Sequence, residues 1–112
     1  MNKHKIERIQ SDILRYIDQI ILTEVTDEEI KKVTITECNV THDLSYATLY
    51  YTSFSDLSSE DMQKKLEDAA GFLRGKLSAL IELRHTPSLR FKYDDTIENG
   101  QKIEKILKDI QE

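Results

Sequence analysis

Val33-Thr34-Ile35-Thr36-Glu37-Cys38-Asn39-Val40-Thr41-His42-Asp43-Leu44-Ser45-Tyr46-Ala47-Thr48-Leu49-Tyr50-Tyr51-Thr52-Ser53-Phe54 reads as two strands and the turn between them. Residues 33–40 are rich in β-branched side chains and alternate apolar with polar, the period of a half-buried strand. The apolar phase changes partway, from Val33 and Ile35 to Cys38 and Val40. One extra residue, a bulge near Thr36 or Glu37, accounts for that shift. Thr41-His42-Asp43 suits a turn in which the Asp43 carboxylate bonds nearby backbone. Residues 45–54 then make the second strand, with Ala47, Leu49 and Tyr51 on one face. A connection this short makes the pair an antiparallel hairpin.

A sheet with one apolar face needs cover, and the flanking sequence provides it. Upstream, Ile6, Ile9, Ile13, Ile17 and Ile20 step by three and four, so residues 3–23 form an amphipathic helix. The acidic Asp27-Glu28-Glu29 connects it to the hairpin. Downstream, Ser58 or Ser59 caps a second helix, with Glu60 and Asp61 favourably placed in its first turn. Its apolar stripe runs Met62, Leu66, Ala69, Leu73, Leu77 and Leu80/Ile81. Pro87 ends that segment, because the residue before proline is pushed out of helical geometry. Ser88–Asp94 is a third strand with Leu89, Phe91 and Tyr93 inward and Arg90 and Lys92 outward. Thr96 caps a last short helix carrying Ile103, Ile106, Leu107 and Ile110. The expected architecture is one α+β domain over residues 1–112, ordered helix, strand, strand, helix, strand, helix.

The second helix contains an unusual stretch, Ala69-Ala70-Gly71-Phe72-Leu73-Arg74-Gly75. A glycine inside a helix costs roughly 1 kcal/mol relative to alanine. Two of them beside small alanines point to a kink or a break into two shorter helices. Close packing against a neighbour through small side chains is the competing explanation. Gly71 and Gly75 also spell G-x-x-x-G, but Arg74 and Lys76 exclude the long apolar stretch in which that motif pairs membrane helices.

Charge is segregated along the 112 residues. The formal net charge is −5. Yet Arg74, Lys76, Arg84, Arg90 and Lys92 stand against Glu82 alone in residues 73–92, and Lys3, Lys5 and Arg8 against Glu7 in residues 1–8. The remainder is strongly acidic. No apolar run approaches the ~20 residues that span a bilayer, and no uninterrupted apolar segment follows the charged N-terminus as a signal peptide requires. The single cysteine, Cys38, agrees with a reducing cytosol.

Catalysis finds little support. His4, His42 and His85 are dispersed, without H-x-x-x-H or C-x-x-C spacing for a metal. Cys38 lies mid-strand, as a small core residue rather than a nucleophile. Asp94-Asp95 resembles a carboxylate pair, although adjacent acids at a strand end are more often turn and cap residues. No phosphate-binding loop of the G-x-x-x-x-G-K-[ST] type occurs. The expectation is a protein that is no enzyme and holds no metal or cofactor.

Several of these motifs, taken in order, resemble the ribosome-binding factor A family of bacterial small-subunit maturation proteins. They are Asp43-Leu44-Ser45-Tyr46-Ala47, the A-x-G at Ala69-Ala70-Gly71 with Phe72-Leu73-Arg74, Leu83-Arg84, Thr86-Pro87, Leu89-Arg90-Phe91, Asp94-Asp95 and Gly100. The resemblance implies a type-two KH-like domain in which A-x-G, with its kinked helix, replaces the G-x-x-G loop. It further implies a cytoplasmic monomer that binds the immature or cold-stressed small ribosomal subunit and its ribosomal RNA. Assistance in late maturation, including processing of small-subunit ribosomal RNA, belongs to the same expectation.

An ordinary KH loop uses its glycines to bring backbone against about four nucleotides of single-stranded RNA. No G-x-x-G occurs in this chain. Recognition is therefore expected through basic side chains on phosphates of a folded RNA surface. The candidates are Arg74, Lys76, Arg84, His85, Arg90 and Lys92, with Lys3, Lys5 and Arg8 as a second cluster. Tyr46, Tyr50 and Tyr51 are candidates to stack on bases, half-buried strand positions being the simpler reading. A protein–protein adaptor of KH-like or ferredoxin-like fold, binding through its acidic helices, is the alternative function class.

Overall fold

The computed structural model describes residues 3–94. The expected C-terminal helix, with Thr96 and the Ile103–Ile110 stripe, lies outside the described residues. Helix α1 spans Lys3–Thr23 and buries Ile6, Ile9, Ile13, Ile17, Ile20 and Ile21. It closes where the N–H groups of Glu24 and Val25 both reach the Ile20 carbonyl, at 2.8 and 3.2 Å. Asp27 then accepts from the N–H groups of Glu29 and Ile30 and organises a short 3-10 turn over Ile30–Lys32. That turn gave no signal in the sequence.

Strands β1 (Val33–Val40) and β2 (Tyr46–Ser53) form the expected antiparallel hairpin. Ile35 pairs with Tyr51 and Glu37 with Tyr50, so Thr36 is the extra residue that shifts the apolar phase. In the turn, Asp43 accepts from the Ser45 N–H at 3.0 Å and the Thr41 hydroxyl at 2.8 Å. Strand β3 (Ser88–Tyr93) runs parallel to β2, giving the order β1-β2-β3. Parallel neighbours need a long crossover, and helix α2 (Ser59–Leu80) provides it. Ser58 caps α2, accepting from the Asp61 N–H at 3.1 Å, with Glu60 and Asp61 in the positive first turn.

Of the kink or break expected at Ala69-Ala70-Gly71, a break into two helices is not found. Helix α2 is one element through both glycines. Met62, Leu66, Leu73 and Leu77 are buried on either side of the stretch, and burying each stabilises by about 1.5–3 kcal/mol. That outweighs a glycine cost of roughly 1 kcal/mol apiece. Close packing is not what the glycines serve either: a Cβ built at Gly71 or Gly75 meets nothing within 4 Å.

Both helices cover one face of the sheet, α1 over β1 and α2 over β3. Val33, Ile35, Cys38, Ala47, Leu49, Tyr51, Leu89 and Phe91 point into one core with the helix stripes. Tyr51 is only 1% exposed. Its hydroxyl donates to Gln63 Oε1 at 2.6 Å, and the Gln63 amide donates to the Phe91 carbonyl at 2.7 Å. The buried phenol is therefore satisfied, as such groups must be. Lys65 Nζ lies 2.8 Å from Asp27 Oδ2 and ties α2 to the α1–β1 connection. Among the described residues, no helix covers the other sheet face.

Candidate nucleic-acid interface

The α2–β3 connection, residues 82–87, is held by its neighbours rather than by regular structure. Ile81 N–H donates back to Leu77 and ends the helix. Pro87 is fully buried, and Ser88 N–H reaches the Ser45 carbonyl at 2.9 Å. Between these anchors, Arg74 donates from Nε and Nη2 to the Thr86 carbonyl, at 3.1 and 2.8 Å. The guanidinium thus fixes the loop from α2. Arg84 and His85 remain exposed at its tip. With Gly71, Arg74, Gly75, Ser78 and Thr86 they line a shallow hollow whose floor is bare helix surface.

A second hollow lies on the other flank of the same loop. It is lined by Lys5, Arg8, Ile9, Asp12, Arg15 and Tyr16 of α1 and by residues 80–83. The structure therefore brings two of the three N-terminal cations beside the loop that carries Arg84 and His85. Lys3 sits exposed two residues before Lys5. No acidic residue occupies the first turn of α1, so these cations gather at the positive end of the helix dipole. That placement costs stability and favours an anion. Arg15 went unnoticed in the sequence. Its signal was the seven-residue step from Arg8, two helical turns along the same face. Its guanidinium lies 3.4 Å from Asp12 Oδ1 and 5.0 Å from the Tyr16 ring centroid.

The other expected contacts lie elsewhere. Arg90 and Lys92 project from the uncovered sheet face, Arg90 at 3.6 Å over the Tyr46 ring and Lys92 at 6.0 Å from Tyr50. Lys76 is drawn to Glu24, 3.6 Å away, and lies 5.6 Å from the Phe72 ring. The three tyrosines separate as well: Tyr51 is core, Tyr50 half-buried and Tyr46 39% exposed. Among the described residues, no carboxylate forms an ion pair with Arg8, Arg84, Arg90 or Lys92. In a chain with 21 acids and 16 bases, cations left without acidic partners are informative.

The groups with chemical potential are quiet. Burial, with help from Glu37, pushes the Cys38 thiol up to about 12, which keeps it protonated. Asp94 accepts from the Thr36 hydroxyl at 2.6 Å, a strand-end role, while Asp95 lies outside the described residues. No cluster of His, Cys, Asp and Glu suited to a metal occurs among the described residues. None of their helices is long and apolar enough to cross a membrane.

Comparison with known proteins gives one answer. The family model described as ribosome-binding factor A matches residues 5–107. Ribosome-binding factor A of Streptococcus mutans is 37% identical over 113 residues, covering 99% of this chain and 97% of its own. Among solved structures, the crystal structure of ribosome-binding factor A from Thermus thermophilus matches with a TM-score of 0.72 at 19% identity, over 79% of this chain and 93% of that one. A homology model of the Thermus thermophilus factor, fitted into a cryo-electron microscopy map of its complex with the 30S subunit, matches with a TM-score of 0.64 at 20% identity. It covers 76% of this chain and 90% of that one. The α+β arrangement described above is the KH-like fold of these structures.

Proposed function

The chain belongs to the ribosome-binding factor A family, and on that premise we propose that it docks on the small ribosomal subunit through ribosomal RNA. There it assists a late step of the subunit's maturation, including processing of its RNA, as a cytoplasmic monomer without a cofactor. The observation that carries this reading is the family match over nearly the whole chain. A structural relative, the Thermus thermophilus factor, was fitted into a map of its complex with the 30S subunit.

The surface that suits RNA is the 82–87 loop with the hollow on each flank. Arg84, His85, Lys5 and Arg8, with Arg15 beside them and Lys3 two residues before Lys5, offer positive charge to phosphates. Gly71 and Gly75 leave the helix surface open to close approach. Phosphate contacts of this kind orient a protein on folded RNA without reading its sequence. Arg74 serves by holding the loop. Lys76 stands apart beside Glu24, and Arg90 and Lys92 provide a second charged surface on the sheet.

Co-sedimentation with immature and mature small subunits over a salt series tests the reading. Docking should favour immature subunits and weaken steeply with salt, as counterion release requires. Arg84→Glu and Arg8→Glu should each lower affinity and flatten the slope by roughly one unit per lost phosphate contact. Docking that ignores salt and both substitutions would favour the adaptor reading.

A further inference from the structure

We propose that the uncovered face of the sheet is a second RNA-binding surface, one that takes unpaired nucleotides by stacking. The proposal rests on the RNA reading for the class of partner, but it concerns different residues. Among the described residues no helix packs on this sheet face, so its strand positions are not needed to fill a core. Yet β2 places Tyr46 and Tyr50 there, either side of Thr48. Strand β3 supplies a cation to each: Arg90 lies 3.6 Å over the Tyr46 ring, and Lys92 pairs in register with Tyr50, its Nζ 6.0 Å from the ring centroid.

Three features together point to single-stranded RNA. The guanidinium lies close over the phenol ring, so an aromatic ring and a planar cation are held together on the sheet; both are surfaces on which unstacked bases settle. Neither Arg90 nor Lys92 is in an ion pair with a carboxylate among the described residues, so no described acid neutralises either charge. The rest of the face, Thr34, Asn39, Thr48 and Thr52 with Glu37 on the β1 side, is polar and short apart from that one acid. It offers hydroxyl and amide groups to sugars and base edges. A duplex, whose bases are already stacked, cannot stack on such a surface.

The test compares an oligoadenylate of about ten nucleotides, within the site sizes such surfaces take, with an RNA duplex of the same length. The chain has five tyrosines and no tryptophan, so tyrosine emission reports stacking directly. The single strand should bind and quench that emission, and the duplex should quench far less. Tyr46→Leu and Tyr50→Leu should each weaken single-strand binding by about 5- to 150-fold, the range for losing one stacked base. Arg90→Gln, an exposed change that removes the planar cation, provides a second variant should the leucine variants fold poorly. Failure of the single strand to bind, equal binding of the duplex, or unaltered quenching in the leucine and glutamine variants would overturn the proposal. Those outcomes leave the subunit reading standing, since that is decided by docking of Arg84→Glu and Arg8→Glu.

Discussion

Leu44 holds a left-handed backbone, φ 62°, although it is not a glycine. That conformation costs an L-residue roughly 1–2 kcal/mol, and the Leu44 side chain packs against the core in return. The two effects can be separated. Leu44→Gly removes both the strain and the packing, while Leu44→Ala removes the packing and keeps the strain. The alanine variant should therefore be the less stable by about 1 kcal/mol, which urea unfolding of the pair would measure. One residue earlier, the Ser45 N–H and then the Thr41 hydroxyl hold the Asp43 carboxyl down to about 2. The unfolded value is about 3.9. The folded state thus favours the ionised form, and its contribution is present above about pH 4 and lost as pH falls through about 2. Hydrogen exchange at the Ser45 amide should accelerate across that window beyond its intrinsic pH dependence, and Asp43→Ala should abolish the step.

At the scale of elements, α2 is the informative one. Its glycines interrupt neither the helix nor the buried stripe, and they touch no neighbour. For folding alone, alanine would be the better residue at both positions. Gly71→Ala and Gly75→Ala should each stabilise by about 0.5–1 kcal/mol, since the added methyl meets open space and the backbone entropy of the unfolded chain falls. Thermal unfolding would show the double variant melting several degrees higher. If the helix surface beside Arg84 and His85 receives RNA, the same variant should dock more weakly on small subunits. Stability and docking would then move in opposite directions, which a purely structural role for the glycines does not produce. Arg74 gives the matching test for the loop. Arg74→Lys keeps the charge but loses the paired donation to the Thr86 carbonyl, so it should weaken docking without flattening the salt slope.

Across the whole molecule, a net charge of −5 coexists with cations set on two separate surfaces. One is the 82–87 loop with the first half of α1; the other is the open sheet face. Arg90→Glu with Lys92→Glu reverses two charges without touching Leu89, Phe91 or Tyr93. Stability should change by no more than about 0.5 kcal/mol per site. Docking should weaken and its salt slope flatten if the sheet face meets phosphate. Combined with Arg84→Glu, the losses should add, because independent surfaces contribute additively. A double reversal that folds and docks like wild type would confine the interface to the loop.

The amino-acid sequence by itself determined the α-helices and strands of the described residues. The isoleucine steps of α1, a bulge at Thr36 or Glu37, the Asp43 turn, a cap at Ser58 or Ser59 and the alternation of β3 were all legible, because each depends on residues a few positions apart. The family was legible in the order of short motifs. What only the tertiary structure decided is which charges share a surface. Sequence proximity grouped Arg74, Lys76, Arg84, Arg90 and Lys92. Folding turned Arg74 onto a carbonyl, drew Lys76 to Glu24 and sent Arg90 and Lys92 to the far side of the sheet. It also set Lys5, Arg8 and Arg15 beside a loop some seventy residues away along the chain. Likewise the strength of the α2 stripe, rather than glycine propensity, kept the helix whole. Local signals survive translation into structure because backbone periodicity is short-range. Surface composition does not, because it depends on how α1, α2 and the sheet pack against one another.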